Sequence, residues 1–251
     1  MTLTAQREES TRLSALGVLT TPALVVVAGA ALLAYLRGQP LDAIERRSIN
    51  VQVVLARLTE HLELVGLSTL LVIAIAVPLG VLLTRPRLRR LIPAVLAVAN
   101  IGQAVPTIGV LVLLAVVVGI GTREALVALV LCSALPVLRN TMVGLQGIDR
   151  ALIDAGRGIG LSRATVLLRV ELPLAVPVML AGLRVALILN VGSATLATFT
   201  NAGGLGDLIN TGIVLNRTPI LLTGSVLTAL LALTIDWLVS LAEHVLRPRG
   251  L

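Results

Sequence analysis

The segment DAGRGIGLSRATVLLRVELP, from Asp154 to Pro173, gathers charged, hydrogen-bonding and backbone-exposing residues that are sparse in the sequence around it. On a short helix from Arg150 to Gly158, Asp154 and Arg157 face water. Ala151, Ala155, Gly156 and Gly158 leave part of that helix almost bare, and small residues let another backbone come close. Gly160 tolerates the left-handed conformation that ends a helix. Ser162 can cap the next turn, and Val166, Leu167 and Val170 then form an apolar stripe beside Arg163 and Arg169. Pro173 is accommodated in the first turn of a following helix. The chemistry on offer is recognition: this is either a docking surface for another protein or a solvated loop.

Other reactive constellations are few. All twenty basic residues are arginine, so a phosphate-cradling loop ending in Gly-Lys-Ser/Thr cannot form, and any nucleotide that drives this protein binds a partner. Cys132 is the only cysteine, which excludes an internal disulfide and a cysteine-based zinc cluster. His61 and His244 stand far apart and read as interfacial or solvated residues. No metal site and no catalytic residue follows from these. Asn100, Gln103 and Thr107 recur at i, i+3 and i+7, interrupted by Pro106, while Asn190, Ser193 and Thr198 punctuate a later apolar run. These six either border a path through the protein or hydrogen-bond one helix to another. Arg184 and Asp236 lie inside separate apolar runs at similar depths and read as a structural ion pair, since an isolated charge there costs at least a few kcal/mol. NAGGLGDLINTG, residues 201–212, carries glycines fit for a tight turn or a short re-entrant segment, with an ordinary flexible loop as the alternative.

The elements that position these groups are membrane helices. The chain is 57% hydrophobic and 13% charged over 251 residues, with a mean hydropathy of +1.01, far too apolar for a soluble domain of this length. Apolar runs near twenty residues reach across a hydrocarbon core of roughly 30 Å, and the alternation of a membrane barrel is missing. Six spans are predicted: Leu16 to Leu36, Leu62 to Thr84, Leu91 to Gly119, Ala125 to Leu138, Pro173 to about Thr198, and about Ile220 to Val245. The first is read as a retained helix rather than a cleaved signal, because it is long and Arg37 follows without a small-residue cleavage site.

With the N-terminus cytoplasmic, thirteen arginines flank the inner ends of the spans and six the outer ends, with Arg184 inside one. The inner set is Arg7, Arg12, Arg85, Arg87, Arg89, Arg90, Arg139, Arg150, Arg157, Arg163, Arg169, Arg247 and Arg249. The segment Asn50 to Val65 repeats apolar residues at helical spacing and is expected to be an interfacial helix leading into the second span. No internal repeat or long linker is visible, so one membrane domain accounts for the chain. A net charge of +7 spread over loops and helix ends is the pattern of membrane orientation, not of nucleic-acid binding.

The cytoplasmic segment resembles the signature of the membrane-spanning permease subunits of bacterial ABC importers, EAA-x3-G-x9-I-x-LP. Asp154, Ala155 and Gly156 stand at EAA, Gly160 at the glycine, Val170 at the isoleucine, and Leu172 and Pro173 at LP. The spacing matches throughout, with Asp for Glu, Gly for the second Ala and Val for Ile. HLELVGLSTLLVIAIAVPLGVLLTR, NIGQAVPTIGVLVLLAVVVGIG, LPVLRNTMVGL and GSATLATFTNAGGLGDLI extend the resemblance over roughly Leu58 to Leu246. They are most similar to permeases for quaternary-ammonium osmoprotectants such as glycine betaine, choline and carnitine.

The resemblance implies an all-α integral membrane protein of about six transmembrane helices: a five-helix core like that of methionine-importer permeases, plus one N-terminal helix. It divides the chain into an N-terminal helix and interfacial segment (1–60), a permease domain (61–246) with its coupling loop at 141–172, and a cytoplasmic tail (247–251). It implies a seat for Asp154, Ala155 and Gly156 in a groove on a separate ATPase subunit, which binds the ATP and Mg. A second permease copy or paralogue would pair with the chain. An outer gate at Gly203, Gly204, Gly206 and Asp207 would lie beneath an extracytoplasmic substrate-binding protein, in a bacterial cytoplasmic membrane. Tyr35, Phe199 and Trp237 are the only aromatic residues, too few for the cage that quaternary ammonium groups favour. Two alternatives stand beside this reading: an ABC permease for methionine or another small nutrient, and an ion-coupled secondary transporter, for which Asp236 is the only candidate mid-membrane carboxylate.

Overall fold

The computed structural model describes the backbone of residues 2–246 and the side chains of residues 19–243. The expectations for the side chains of Arg7, Arg12 and His244, and for the 247–251 tail with Arg247 and Arg249, lie outside the described residues. Within those residues the protein is all-helical. It opens with α1 (Thr2–Gly38), of which Leu19–Gly38 is apolar enough to span a membrane, and the short α2 (Ala43–Ser48). A capping box starts α2: Asp42 Oδ1 accepts from the Glu45 amide at 2.8 Å and Glu45 Oε2 accepts from the Asp42 amide at 2.9 Å.

Next comes α3 (Val51–Leu83), capped by Asn50, whose Oδ1 accepts from the Gln52 amide at 2.8 Å. The interfacial helix expected at Asn50 to Val65 leads into the second span without a break, since α3 is one helix that continues through residues 60 and 61. No proline stands between Asn50 and Pro78. At about 1.5 Å per residue its 33 residues reach roughly 50 Å, well beyond a hydrocarbon core of about 30 Å, so its first turns project past the membrane.

The expected third span is broken. A 3-10 turn (Arg89–Leu91) leads into α4 (Ile92–Ala104), and α5 (Thr107–Val117) leaves at 96° to it. Val105, extended at ψ 131°, precedes Pro106, whose ring disfavours helical geometry in the residue before it. Thr107 therefore opens a different helix and does not share one face with Asn100 and Gln103. The span expected at Ala125 to Leu138 is longer than the apolar run alone, because α6 (Thr122–Gln146) carries Arg139, Asn140 and Thr141 inside its helix. Arg139 thus sits within α6 rather than in a loop beyond it, so Arg184 is not the only arginine inside a membrane helix.

The chain continues through α7 (Arg150–Gly158), α8 (Arg163–Val166), a π-helical turn (Leu167–Glu171) and α9 (Leu172–Ala194). A 3-10 segment (Thr195–Thr200), α10 (Gly206–Val214) and α11 (Thr218–Leu246) complete it. Among the described residues, five helical runs are long and apolar enough to cross a membrane, six when the bent α4 and α5 pair counts as one.

The core lies between α3, α6 and α9. Leu64, Val65, Leu129, Val191 and Ala194 fill its outer half, and Val72, Ala76, Val137, Leu138 and Ala186 its inner half. Without a hydrophobic drive between helices in lipid, close backbone approach has to hold them. A Cβ on Gly182 of α9 would stand 2.7 Å from the Pro136 carbonyl of α6, and one on Gly80 of α3 would stand 2.8 Å from Thr141 Cγ2. Gly192, also on α9, has nothing within 4 Å. Gly182→Ala is therefore expected to lower stability by about 1–3 kcal/mol, whereas Gly192→Ala is expected to leave it nearly unchanged; thermal unfolding of the two purified variants in detergent measures the difference.

Candidate coupling loop, translocation path and outer gate

The segment from Asp149 to Ser162 folds as its sequence suggests. Asp149 caps α7 by accepting from the Ala151 amide at 2.9 Å. Gly160, at φ +88°, reverses the chain. Ser162 Oγ accepts from the Thr165 amide at 3.2 Å and starts α8. Gly156 is buried in the elbow, where a Cβ would rest in ordinary contact, 3.4 Å from Val166 and 3.8 Å from Leu161. Opposite that elbow α7 turns Leu152, Asp154, Ala155 and Ile159 outward, with Ile159 80% exposed. An apolar, small-residue ridge edged by a carboxylate is the surface a docking partner needs, and no described residue covers it.

The stripe of Val166, Leu167 and Val170 does not belong to a free second helix. It runs through the π turn into α9, where Leu172 and Pro173 open the membrane helix. In a regular helix Pro173 would lack its hydrogen bond and press on the carbonyl of Arg169; widening to π geometry accommodates both. The same turn swings Glu171 inward to 4% exposure, where it takes Arg85 in a two-pronged pair at 2.6 and 3.2 Å. Arg85 follows α3 and Glu171 precedes α9, so the pair clamps the base of the loop to the membrane helices. Sequence inspection does not reveal it, since 86 positions separate the partners and no local pattern marks them.

The six polar residues of the apolar runs divide into separate groups. Asn190 is fully buried and its Nδ2 donates to Thr69 Oγ1 of α3 at 3.2 Å, a bond between helices. Thr107 lies 3.4 Å from Cys132 Sγ and 3.5 Å from Ser193 Oγ at the break between α4 and α5. Asn100 and Gln103 are exposed on α4, and Asn100 Oδ1 accepts from Arg139 Nη2 at 2.8 Å. Thr198 stands in the 3-10 segment beyond α9 and donates to Asp207.

That last bond belongs to a network at the opposite end of the bundle from α7. Gly203 and Gly204 hold φ of +79° and +95°, and Glu60 Oε2 accepts from the Gly204 amide at 2.9 Å. Arg57 bridges Glu60 and Asp207, each at 2.8 Å. Gly206 lets α10 start against the Thr195 carbonyl, where a Cβ would clash at 1.9 Å. The 201–212 segment is therefore tied to the first turns of α3, not a loose loop. His61, read from sequence as interfacial or solvated, is fully buried beside it, and its Nε2 donates to the Val191 carbonyl at 3.1 Å. Arg184 and Asp236 pair between α9 and α11 through two bonds of 2.5 and 2.7 Å, with Glu243 a further 3.8 Å from the guanidinium. Among the described residues, no group of three or more His, Cys, Asp or Glu is placed to hold a metal ion.

Residues 76–249 match the family described as binding-protein-dependent transport system inner membrane component. The chain belongs to this family. It is 39% identical over 192 residues to the choline transport system permease protein OpuBB of Bacillus subtilis (strain 168), covering 76% of this chain and 88% of that one. It is 39% identical over 214 residues to the osmoprotectant import permease protein OsmY of Salmonella typhimurium (strain LT2), covering 85% and 89%. The fold superimposes on an inward-facing crystal structure of the MetNI methionine ABC transporter with a TM-score of 0.69 at 27% identity, over 78% of this chain and 96% of that one. As a member of this family, the protein is a multi-pass ABC-type permease of the osmoprotectant class, and the resemblance carried by Asp154 to Pro173 is one of descent.

In this permease the Arg184 and Asp236 pair joins the last two long helices. Arg184→Asp or Asp236→Arg alone is expected to reduce the amount of protein recovered from membranes several-fold, because each leaves like charges facing at lipid depth. The double reversal is expected to recover part of the loss, less than all of it because Glu243 then faces a carboxylate; quantitative immunoblotting of membrane fractions reads both.

Proposed function

We propose that this chain is the translocation subunit of an ATP-driven importer for quaternary-ammonium osmoprotectants of the glycine betaine, choline and carnitine type, in a bacterial cytoplasmic membrane. The observation that carries the reading is the outward ridge of α7, held at a fixed height by the Arg85 and Glu171 clamp on a chain that has no nucleotide-binding loop of its own. A separate ATPase, which binds the ATP and Mg, seats on Asp154 and Ala155, while Gly156, buried behind them, closes the elbow rather than meeting the partner; the turn at Gly160 with Val170, Leu172 and Pro173 passes the movement to α9. The relatives named for choline and osmoprotectant transport support the substrate class.

A second permease copy or paralogue completes the path. Asn100, Gln103 and Arg139 are exposed on the single chain at membrane depth, and polar groups there face protein or water rather than lipid. With Thr107 and Ser193 nearby at the break between α4 and α5, they form the polar face offered to solute, while Asn190 and Thr198 hold that face in place. The outer gate is the turn of Gly203, Gly204, Gly206 and Asp207, latched by Arg57 and Glu60 and covered in operation by an extracytoplasmic binding protein. Tyr35, Phe199 and Trp237 stand on α1, the 3-10 segment and α11, so high-affinity recognition of a quaternary ammonium belongs to that binding protein.

Affinity purification of the tagged chain from its native membrane, followed by mass spectrometry, is expected to recover an ABC ATPase and an extracytoplasmic solute-binding protein. Recovery of neither refutes the assignment. Gly156→Leu is expected to abolish ATPase association, since a large side chain splits the elbow from Val166, whereas Gly156→Ala is expected to retain it.

A further inference from the structure

We propose that the cytoplasmic end of this permease holds a binding site for a phosphoryl anion, wedged between α7 and the ends of the membrane helices. A cavity of about 290 Å³ opens there, bounded by the end of α3, the turn before α4, the end of α6, and α7. Four arginines line it, Arg85, Arg89, Arg150 and Arg157, against a single carboxylate, Glu171. Glu171 is fully engaged by Arg85. The side chains of Arg89, Arg150 and Arg157 make no hydrogen bond or ion pair with any described residue. Guanidinium groups converging on one concavity repel one another until an anion sits between them. Their planar forks match phosphoryl oxygens two at a time, which a row of lysines would not do.

The cavity is distinct from the ridge assigned to the ATPase. At about 100° per residue, Arg150, Ile153 and Arg157 fall on one side of α7 and line the cavity, with the exposed Asp154 beside them at its rim, while the apolar ridge of Leu152, Ala155 and Ile159 falls on the opposite side. A carboxylate from a protein seated on that ridge therefore stands across the helix from these arginines. The cavity also lies where α3 leaves the apolar bundle and α9 enters it, the depth of lipid headgroups on the side that carries the anionic lipids. A lipid phosphodiester and a free phosphate share the chemistry that this site selects. Either one, once bound, ties α7 to the ends of α3 and α6. The consequence for coupling rests on the function proposed above, but the binding itself does not.

The test uses the full chain in nanodiscs of equal phosphatidylglycerol and phosphatidylcholine, with retained lipid read by native mass spectrometry. A parallel arm measures radiolabelled inorganic phosphate bound in nanodiscs of phosphatidylcholine alone. The variants are Arg89→Gln/Arg157→Gln and, as a charge-matched control at the other end, Arg37→Gln/Arg123→Gln. Wild type and control are expected to retain phosphatidylglycerol about tenfold over phosphatidylcholine, and the cavity variant less than about twofold; that result assigns the site to a lipid headgroup. Phosphate bound by wild type but not by the cavity variant, without a lipid preference, assigns it to a soluble phosphate. A cavity variant equal to wild type in both arms overturns the proposal. So does a wild type that binds neither probe until its copurifying ATPase is stripped away, which would place a protein carboxylate in the cavity. Arg89→Gln alone, at an exposed position, answers the same question should the double variant not purify. An Ala155→Arg chain that loses the ATPase yet keeps its lipid preference separates failure of the coupling assignment from failure of this site.

Discussion

The backbone contact between α6 and α9 is the constraint on which the rest of the protein depends. Gly182 lies against the Pro136 carbonyl and Gly144 lies within about a methyl group of the Ala175 carbonyl, so two long helices touch without side chains between them. Gly80 brings α3 equally close to α6 at Thr141. Close-packed backbones do not deform gradually; they move as a unit or separate. The segment from Gly147 to Glu171 spans the gap between the inner ends of α6 and α9, so its position is set by that contact at both ends. A force on α7 is thereby delivered to the three-helix core rather than absorbed in a loop.

Charge placement follows the same frame. At the inner end, Arg85 and Glu171 hold the root of the loop; at the outer end, Arg57, Glu60 and Asp207 hold the turn at Gly203 and Gly204. Helix α9 connects the two: it starts beside Glu171 and runs out to the 3-10 segment whose Thr198 bonds to Asp207. In the mechanism proposed here, the motor's stroke enters at one end of α9 and the outer latch answers at the other. Arg184 and Asp236 attach α11 to the same helix, so the outer segment carried between α9 and α11 moves with both.

What could be read in advance was what the chain encodes locally. The boundaries of α7, the left-handed Gly160 and the cap at Ser162 are each fixed by residues within a few positions of one another, and apolar length marks the five or six candidate crossings. The outer latch was hidden because Asp207 lies some 150 positions from Arg57 and Glu60, and all three look like ordinary exposed charges until α10 folds back. His61 misled for a related reason: near a helix end it suggests water, yet the turn at Gly204 covers it. The break at Val105 and Pro106 was visible as a proline but not as a bend, since proline is compatible with either a kink or an end. The length of α6 was underestimated because Arg139 and Asn140 interrupt the apolar run without interrupting the helix, their polar groups meeting Asn100 and the Pro136 carbonyl.

Under the proposed function, this chain moves solute only when an external motor acts on α7. Uptake of radiolabelled choline or glycine betaine into proteoliposomes tests it most directly, with the permease reconstituted alone under an imposed sodium or proton gradient and, separately, with its copurified ATPase, its binding protein and ATP. Uptake that requires ATP and the ATPase, and that stays at background under any ion gradient without them, is the expected result. Gradient-driven accumulation by the permease alone would contradict the account.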